Sequence, residues 1–268
     1  MKTMKLLSVM ALSALSSFAG EKISIKGSDT LGAKMVPQLS EVYNAMGNDV
    51  KFEIAAEGSS SAFKALLDGT AQIGMSSRSV KDTEVDKFTA KGQELKEHVA
   101  GVDMIAVIVN SANGVSGLTK DQVEGIFTGS ITDWSEVGGT PGEISAYTRN
   151  ETSGTYKTFQ KLAMSKKDYG SKTQKQAGNT QIAEQVSKNP NGIGYVGLAY
   201  VGAEGTKAVT VDDVAAAKEN KKNYPLSRNL YYYTIGEPTG EAKKFLEWSK
   251  TSEEAAAVIE KVGFIPAK

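Results

Sequence analysis

The sequence predicts an α/β protein, and three observations predict it. Segments with alternating apolar residues are interleaved with segments whose apolar residues recur at helical spacing. Several strand-like segments end in glycine and hydroxyl residues just where a helix-like segment begins, as in GSDT, EGSSS and SGT. One run, MIAVIVN (104–110), is almost continuously apolar, which suits a strand covered on both faces.

Taken in order, KISIKGSDT (22–30) is an alternating strand ending in a Gly-Ser turn, and Leu31, Met35, Leu39, Val42 and Met46 then mark one helix. VKFEIAAEGSSS repeats the pattern, with Phe63, Leu66 and Leu67 on the following helix. AQIGMSSRS is a short strand followed by polar residues. MIAVIVN is the buried strand, TKDQVEGIF a short helix, and EISAYTRN a strand leading into RNETSGT. Helices are expected over 155–164 and near 181–187, and a strand over 193–196. LYYYTIG (230–236) is a strand, and helices over 241–250 and 252–261 close the chain. No low-complexity linker or internal repeat divides it. MIAVIVN and LYYYTIG are therefore the candidates for structured crossovers between two lobes.

At 268 residues, 40% apolar and 23% charged, the composition is that of a folded protein with a large core. The formal charge of +0 gives no attraction to nucleic acid or to a membrane surface. The first nineteen residues differ: Lys2 and Lys5, then the apolar LLSVMALSAL, then Ser17-Phe18-Ala19 read as a secretory signal cleaved after Ala19. Removing it leaves 29 basic against 31 acidic residues and no later segment apolar enough to span a bilayer. There is no cysteine, which excludes disulfides, thiol nucleophiles, thiolate metal sites and a lipidated cysteine. The expectation is a free, exported, periplasmic monomer with no cofactor or metal.

Three strand-to-helix turns share one chemistry: Gly27-Ser28-Asp29-Thr30, Gly58-Ser59-Ser60-Ser61 and Thr152-Ser153-Gly154-Thr155. A helix start carries free N–H groups and the positive end of the dipole, so it attracts an anion. Glycine permits close backbone approach, and hydroxyls add donors. Taken alone, each turn is more readily an N-cap than a site. Three alike, beside scarce arginines, point to an oxyanion. Of only three arginines, Arg149 precedes Ser-Gly-Thr and Arg78 follows Ser76-Ser77, and a guanidinium can grip an oxyanion with two parallel hydrogen bonds. Arg228 is either another site residue or an interlobe ion-pair member. His98, the lone histidine, lies in the charged run KGQELKEHV and reads as a solvated surface residue. Trp134 reads as packing, and Tyr231, Tyr232 and Tyr233 as an aromatic strand face.

GSDT, EGSSSAF, IGMSSRSV, DMIAVIVN, IFTGSITDWSEVGG, RNETSGTY and NPNGIGYVGLAYV together resemble, in order and over most of residues 23–200, the PstS family of phosphate-binding proteins of bacterial ABC transporters. The resemblance is loose towards the C-terminus. It implies a two-lobed periplasmic binding protein fold of type II with two interlobe crossovers, lobe 1 over 20–106 and 230–268 and lobe 2 over 107–229. It implies phosphate in the cleft, lined by Ser28, Thr30, Ser59, Arg149, Ser153, Gly154 and Thr155, and an ABC permease as partner. Asp29, Ser77 and Arg78 are adjoining candidates.

Several members of that family carry an aspartate just after the strand that reads IGMSS here, where this chain has Ser77 and then Arg78. A fixed carboxylate accepts the proton of HPO4 and repels sulfate. A buried charge clash of about 3–5 kcal/mol is worth a hundredfold or more in affinity. In this chain Asp103 is the first choice for that acceptor, with Asp29 and Glu57 as alternatives. Two other functions compete: binding of another oxyanion (sulfate, molybdate, arsenate), and an exported phosphatase or serine hydrolase. The second lacks a convincing base, because one histidine in a charged run is a poor partner for a serine nucleophile.

Overall fold

The computed structural model describes residues 21–267, so the expected leader over 1–19 lies outside the described residues. The chain runs through β1 (Glu21–Gly27), α1 (Asp29–Gly32), α2 (Met35–Ala45), β2 (Val50–Ala55), α3 (Ser59–Leu67), β3 (Ile73–Ser76), α4 (Asp82–Thr89) and β4 (Leu95–Asn110). It continues through β5 (Gly117–Leu118), α5 (Lys120–Thr128), β6 (Ser145–Arg149), α6 (Gly154–Ala163), β7 (Gln174–Gln176), α7 (Asn179–Lys188), β8 (Gly192–Gly197) and β9 (Thr206–Ala208). β10 (Thr210–Val211), β11 (Ser227–Ile235), α8 (Gly240–Thr251) and α9 (Glu253–Lys261) complete it.

The strands form a curled sheet in the order β2-β1-β3-β11-β4-β8-β6-β7, with β9 also on β4. The long strand β4 belongs to both ends of it. Leu95 to Met104 pair with β11, whereas Ile105 to Val109 pair with β8. Elements on the β11 side are called here the first half, and those on the β8 side the second. In the first half β1 runs parallel to β2 and β3; in the second, β6 runs parallel to β7 and β8. Parallel strands need helical crossovers, and α2, α3, α6 and α7 supply them.

Burial follows the sequence pattern. Ile23 and Ile25 alternate inward from β1 and pack with Leu31, Met35, Leu39 and Tyr232. The all-apolar end of β4 is buried along its whole length, as MIAVIVN requires. In the second half Phe159 of α6 stacks on Tyr195 of β8 at 3.9 Å, and Trp134 is buried in the same core. Its indole N–H donates to the Asn191 carbonyl at 3.1 Å, so Trp134 is a packing residue as expected. The first-half core runs on into Ile182, Val186, Val196 and Tyr200, so apolar packing also crosses between the halves.

Two local expectations are corrected. The helix expected over 31–46 is broken into α1 and α2. Pro37 lies in the first turn of α2, where its missing N–H costs nothing, but its ring would clash with a helix continuing from upstream. KGQELKEHV is not a solvated run: its second part is the start of β4. His98 is accordingly half-buried, with Nε2 3.1 Å from Thr234 Oγ1 on the neighbouring strand. The adjacent charges Lys96 and Glu97, one on each face of the strand, masked the alternation there.

Candidate functional site

The ends of the parallel strands from both halves converge. Ser28 follows β1, Ser59 follows β2 at the start of α3, and Ser77 follows β3. From the second half come Arg149 at the end of β6, Ser153 to Thr155 at the start of α6, and Asn179 at the start of α7. The C-terminal edge of a parallel sheet is where α/β proteins bind ligands, because helix starts collect there with unpaired N–H groups.

Four hydroxyls form a buried chain across the junction. Ser59 Oγ is 3.2 Å from Ser77 Oγ, and Ser77 Oγ is 3.4 Å from Thr155 Oγ1. Thr155 Oγ1 is 2.9 Å from Thr30 Oγ1. The backbone N–H of Ser77 also donates to Ser59 Oγ at 3.0 Å. Gly154 makes this approach possible, since a Cβ there would lie 2.3 Å from Ser59 Oγ and 2.6 Å from Ser77 Oγ.

All three arginines are buried, at 7% exposure or less for Arg78 and Arg149 and 8% for Arg228. Arg149 donates through Nε and Nη2 to the Ala177 carbonyl, at 3.2 and 2.8 Å. Its Nη1 lies 3.2 Å from Asp29 Oδ2 but makes no hydrogen bond of proper geometry. Burial lowers the proton affinity of Arg149, and the charge of Asp29 opposes that shift. The end of β6 is itself held from below: Tyr195 Oη lies 2.6 Å from Thr148 Oγ1 and accepts the Arg149 N–H at 3.3 Å. The second orphaned group beside this site is Ser28 Oγ, buried and without a partner. A guanidinium N–H and a hydroxyl are thus left unsatisfied at the foot of converging helix starts.

The other candidates divide. Ser153 is buried and caps α6, its Oγ accepting the Tyr156 N–H at 3.2 Å. Asp29 spans the halves by capping α7: its Oδ2 accepts Asn179 N at 3.1 Å and Asn179 Nδ2 at 2.7 Å. Asp103 is fully buried and held by Arg228, whose Nε and Nη2 donate to Oδ2 at 3.1 and 2.7 Å, while Leu198 N donates to Oδ1 at 2.8 Å. Arg78 is turned to Glu84 in a two-pronged pair at 2.8 and 2.6 Å and takes no part in the hydroxyl chain. Glu57 is exposed, and its carbonyl accepts Thr152 Oγ1 at 3.1 Å.

Two residues of the junction escaped the sequence reading in whole or part. Arg228 Nη1 donates to Thr155 Oγ1 at 2.9 Å and to the Ser77 carbonyl at 3.1 Å, so it joins both halves as well as pairing with Asp103. Asn179 bridges Asp29 and the Gly197 N–H. Its signal was present: Gly178-Asn179-Thr180 before a helix has the same character as the three turns that were singled out.

Comparison with known proteins agrees with this geometry. Residues 13–253 match the family model of the PBP superfamily domain. The phosphate-binding protein PstS of Pseudomonas aeruginosa is 34% identical over 91% of this chain and 82% of its own length. The PstS of Bacillus subtilis is 30% identical over 92% and 81%. Among solved structures, a candidate phosphate ABC transporter substrate-binding protein from Clostridium perfringens, crystallised with bound phosphate, superposes with a TM-score of 0.84 at 33% identity, covering 92% of this chain and all (100%) of the other. An ABC-type phosphate transport receptor from Vibrio cholerae gives 0.73 at 28% identity, over 91% and 99%. A curled α/β sheet with helix starts converging at the junction of its halves, matched across nearly the whole chain, places this protein in the PBP superfamily and, within it, in the family of the PstS phosphate-binding proteins.

Proposed function

We propose that this chain binds inorganic phosphate between its halves and hands it to an ABC permease in the membrane, without chemical change. One observation carries the reading: Arg149, 1% exposed, keeps a guanidinium N–H that makes no hydrogen bond although Asp29 Oδ2 lies 3.2 Å away, and the Ser28 hydroxyl next to Asp29 in the chain is also buried and unpartnered. Burying an unsatisfied donor costs about 1–3 kcal/mol, and more for a charged one. An anion seated there removes that cost and gains the dipoles of α3 and α6. The named relatives bind phosphate, which supports phosphate over another oxyanion. The binding residues proposed are Ser28, Thr30, Ser59, Ser77, Arg149, Ser153, Gly154 and Thr155. Asp29 and Asp103 act behind them, by capping α7 and by fixing Arg228.

The lobes proposed are 20–106 with 230–268, and 107–229. The change of partner along β4 between Met104 and Ile105, and the start of β11 at Ser227, support boundaries near these positions. The leader-like start of the sequence supports export to the periplasm, where the chain acts as a monomer. Calorimetry tests the assignment. Arg149→Ala should abolish phosphate binding while circular dichroism shows an intact fold, and an unchanged affinity would remove Arg149 from the site.

A further inference from the structure

A second group of orphaned donors lies outside this site. The side chains left without a partner among the described residues include Arg78 Nε and Ser227 Oγ. Their residues border one groove of about 370 Å³, which also takes in Lys81, Lys157, Lys161 and Asn229, while the two orphaned atoms themselves are buried beneath it. The groove straddles the junction: Arg78 and Lys81 belong to the first half, and Lys157 and Lys161 stand one turn apart on α6 of the second. None of the three lysines makes an ion pair among the described residues. The nearest carboxylate, Glu84, is already taken by Arg78 and by the Lys81 N–H at 2.9 Å. Cations of both halves thus surround one groove. Burial and then the charge of Arg78 lower the proton affinity of Lys81, Glu84 opposes the shift, and Lys157 adds to it.

We infer that this groove is a second, weaker oxyanion site, built when the halves meet and taking a multivalent oxyanion such as phosphate. Its ligand bridges Lys81 of the first half to Lys157 and Lys161 of the second. Arg228 lines the same groove and also reaches Thr155, so the two sites share a wall. An anion in the groove neutralises like charges facing each other across the junction. It therefore favours the joined state and delays escape of the anion held within.

The inference rests on the proposed function, and one experiment separates the two. The full chain is loaded with radiolabelled phosphate and chased with rising concentrations of unlabelled phosphate, at ionic strength held constant with potassium chloride. A one-site protein releases label at a rate independent of the chase. Here release should slow about threefold from low to millimolar chase, as a ligand specific for the joined state requires. The variant carrying Lys81→Gln, Lys157→Gln and Lys161→Gln should retain label but lose that dependence. A wild-type rate independent of the chase, or an equal slowing in the variant, overturns the second site. Failure of the wild type to retain any label overturns the proposed function instead.

Discussion

Gly154 sets how closely the two halves meet. A methyl group at this position would sit inside the contact distance of two serine hydroxyls of the opposite half. Alanine is otherwise favoured over glycine in a helix, so Gly154→Ala should leave α6 no less stable. Phosphate affinity should fall by at least about tenfold, or 1.4 kcal/mol. Titration finding wild-type affinity in this variant would show that the halves do not close on this contact. At this scale the sequence was informative where chemistry repeats locally. Ser28, Thr30, Ser59, Arg149, Ser153, Gly154 and Thr155 stand together because each lies in a strand-to-helix turn whose residue types are visible in a short window. The pairing of Arg78 with Glu84 was not legible, because Glu84 sits on α4, a helix whose short apolar face left little pattern. The role of Arg228 depends on pairing between strands more than a hundred residues apart, which no local window contains.

That pairing belongs to the scale of elements. Arg228 on β11 stands directly opposite Asp103 on β4, and the two strands carry the chain between the halves. Their ion pair is buried at both ends, with side-chain exposures of 4% and 0%. Removing one partner of such a pair typically costs about 3–5 kcal/mol, because the other charge is left uncompensated. Asp103→Asn should therefore lower the stability measured by urea denaturation by about that amount. It should also weaken phosphate binding, since Arg228 would no longer be held against Thr155. A variant as stable as the wild type would show that the guanidinium finds other compensation. Most elements were legible from periodicity, β1, α3, β6, α6, β8 and β11 among them. The long β4 was legible only in its apolar end, because its first part is half-exposed and the adjacent Lys96 and Glu97 put a charge on each face. β7 and the start of α7 were obscured by the polar run QKQAGNT, whose structure is decided by pairing with β6 rather than by its own composition.

At the scale of the whole molecule, the joined state is a balance that the anion tips. Several contacts favour it without any ligand. Ser60 N donates to the Thr152 carbonyl at 3.1 Å, Thr158 Oγ1 to the Ser77 carbonyl at 3.2 Å, and Lys34 Nζ to the Ala199 carbonyl at 2.7 Å while lying 4.4 Å from the Tyr200 ring. Against them stand the orphaned donors of Ser28 and Arg149 and the crowded cations of the groove. Each side amounts to a few kcal/mol, so a tightly bound anion is enough to decide the population. Binding confined to the joined, folded state must also stabilise the chain against unfolding. At a free phosphate concentration one hundred times the dissociation constant the gain is about 2.7 kcal/mol. Phosphate should thus raise the thermal midpoint and reduce the radius of gyration measured by solution X-ray scattering. Arg149→Ala should show neither change. Compaction without any rise in midpoint would separate domain movement from binding energy. An unchanged radius of gyration at saturation would mean that the halves are already joined without ligand, and that the unpaired donors of Arg149 and Ser28 are tolerated at the junction.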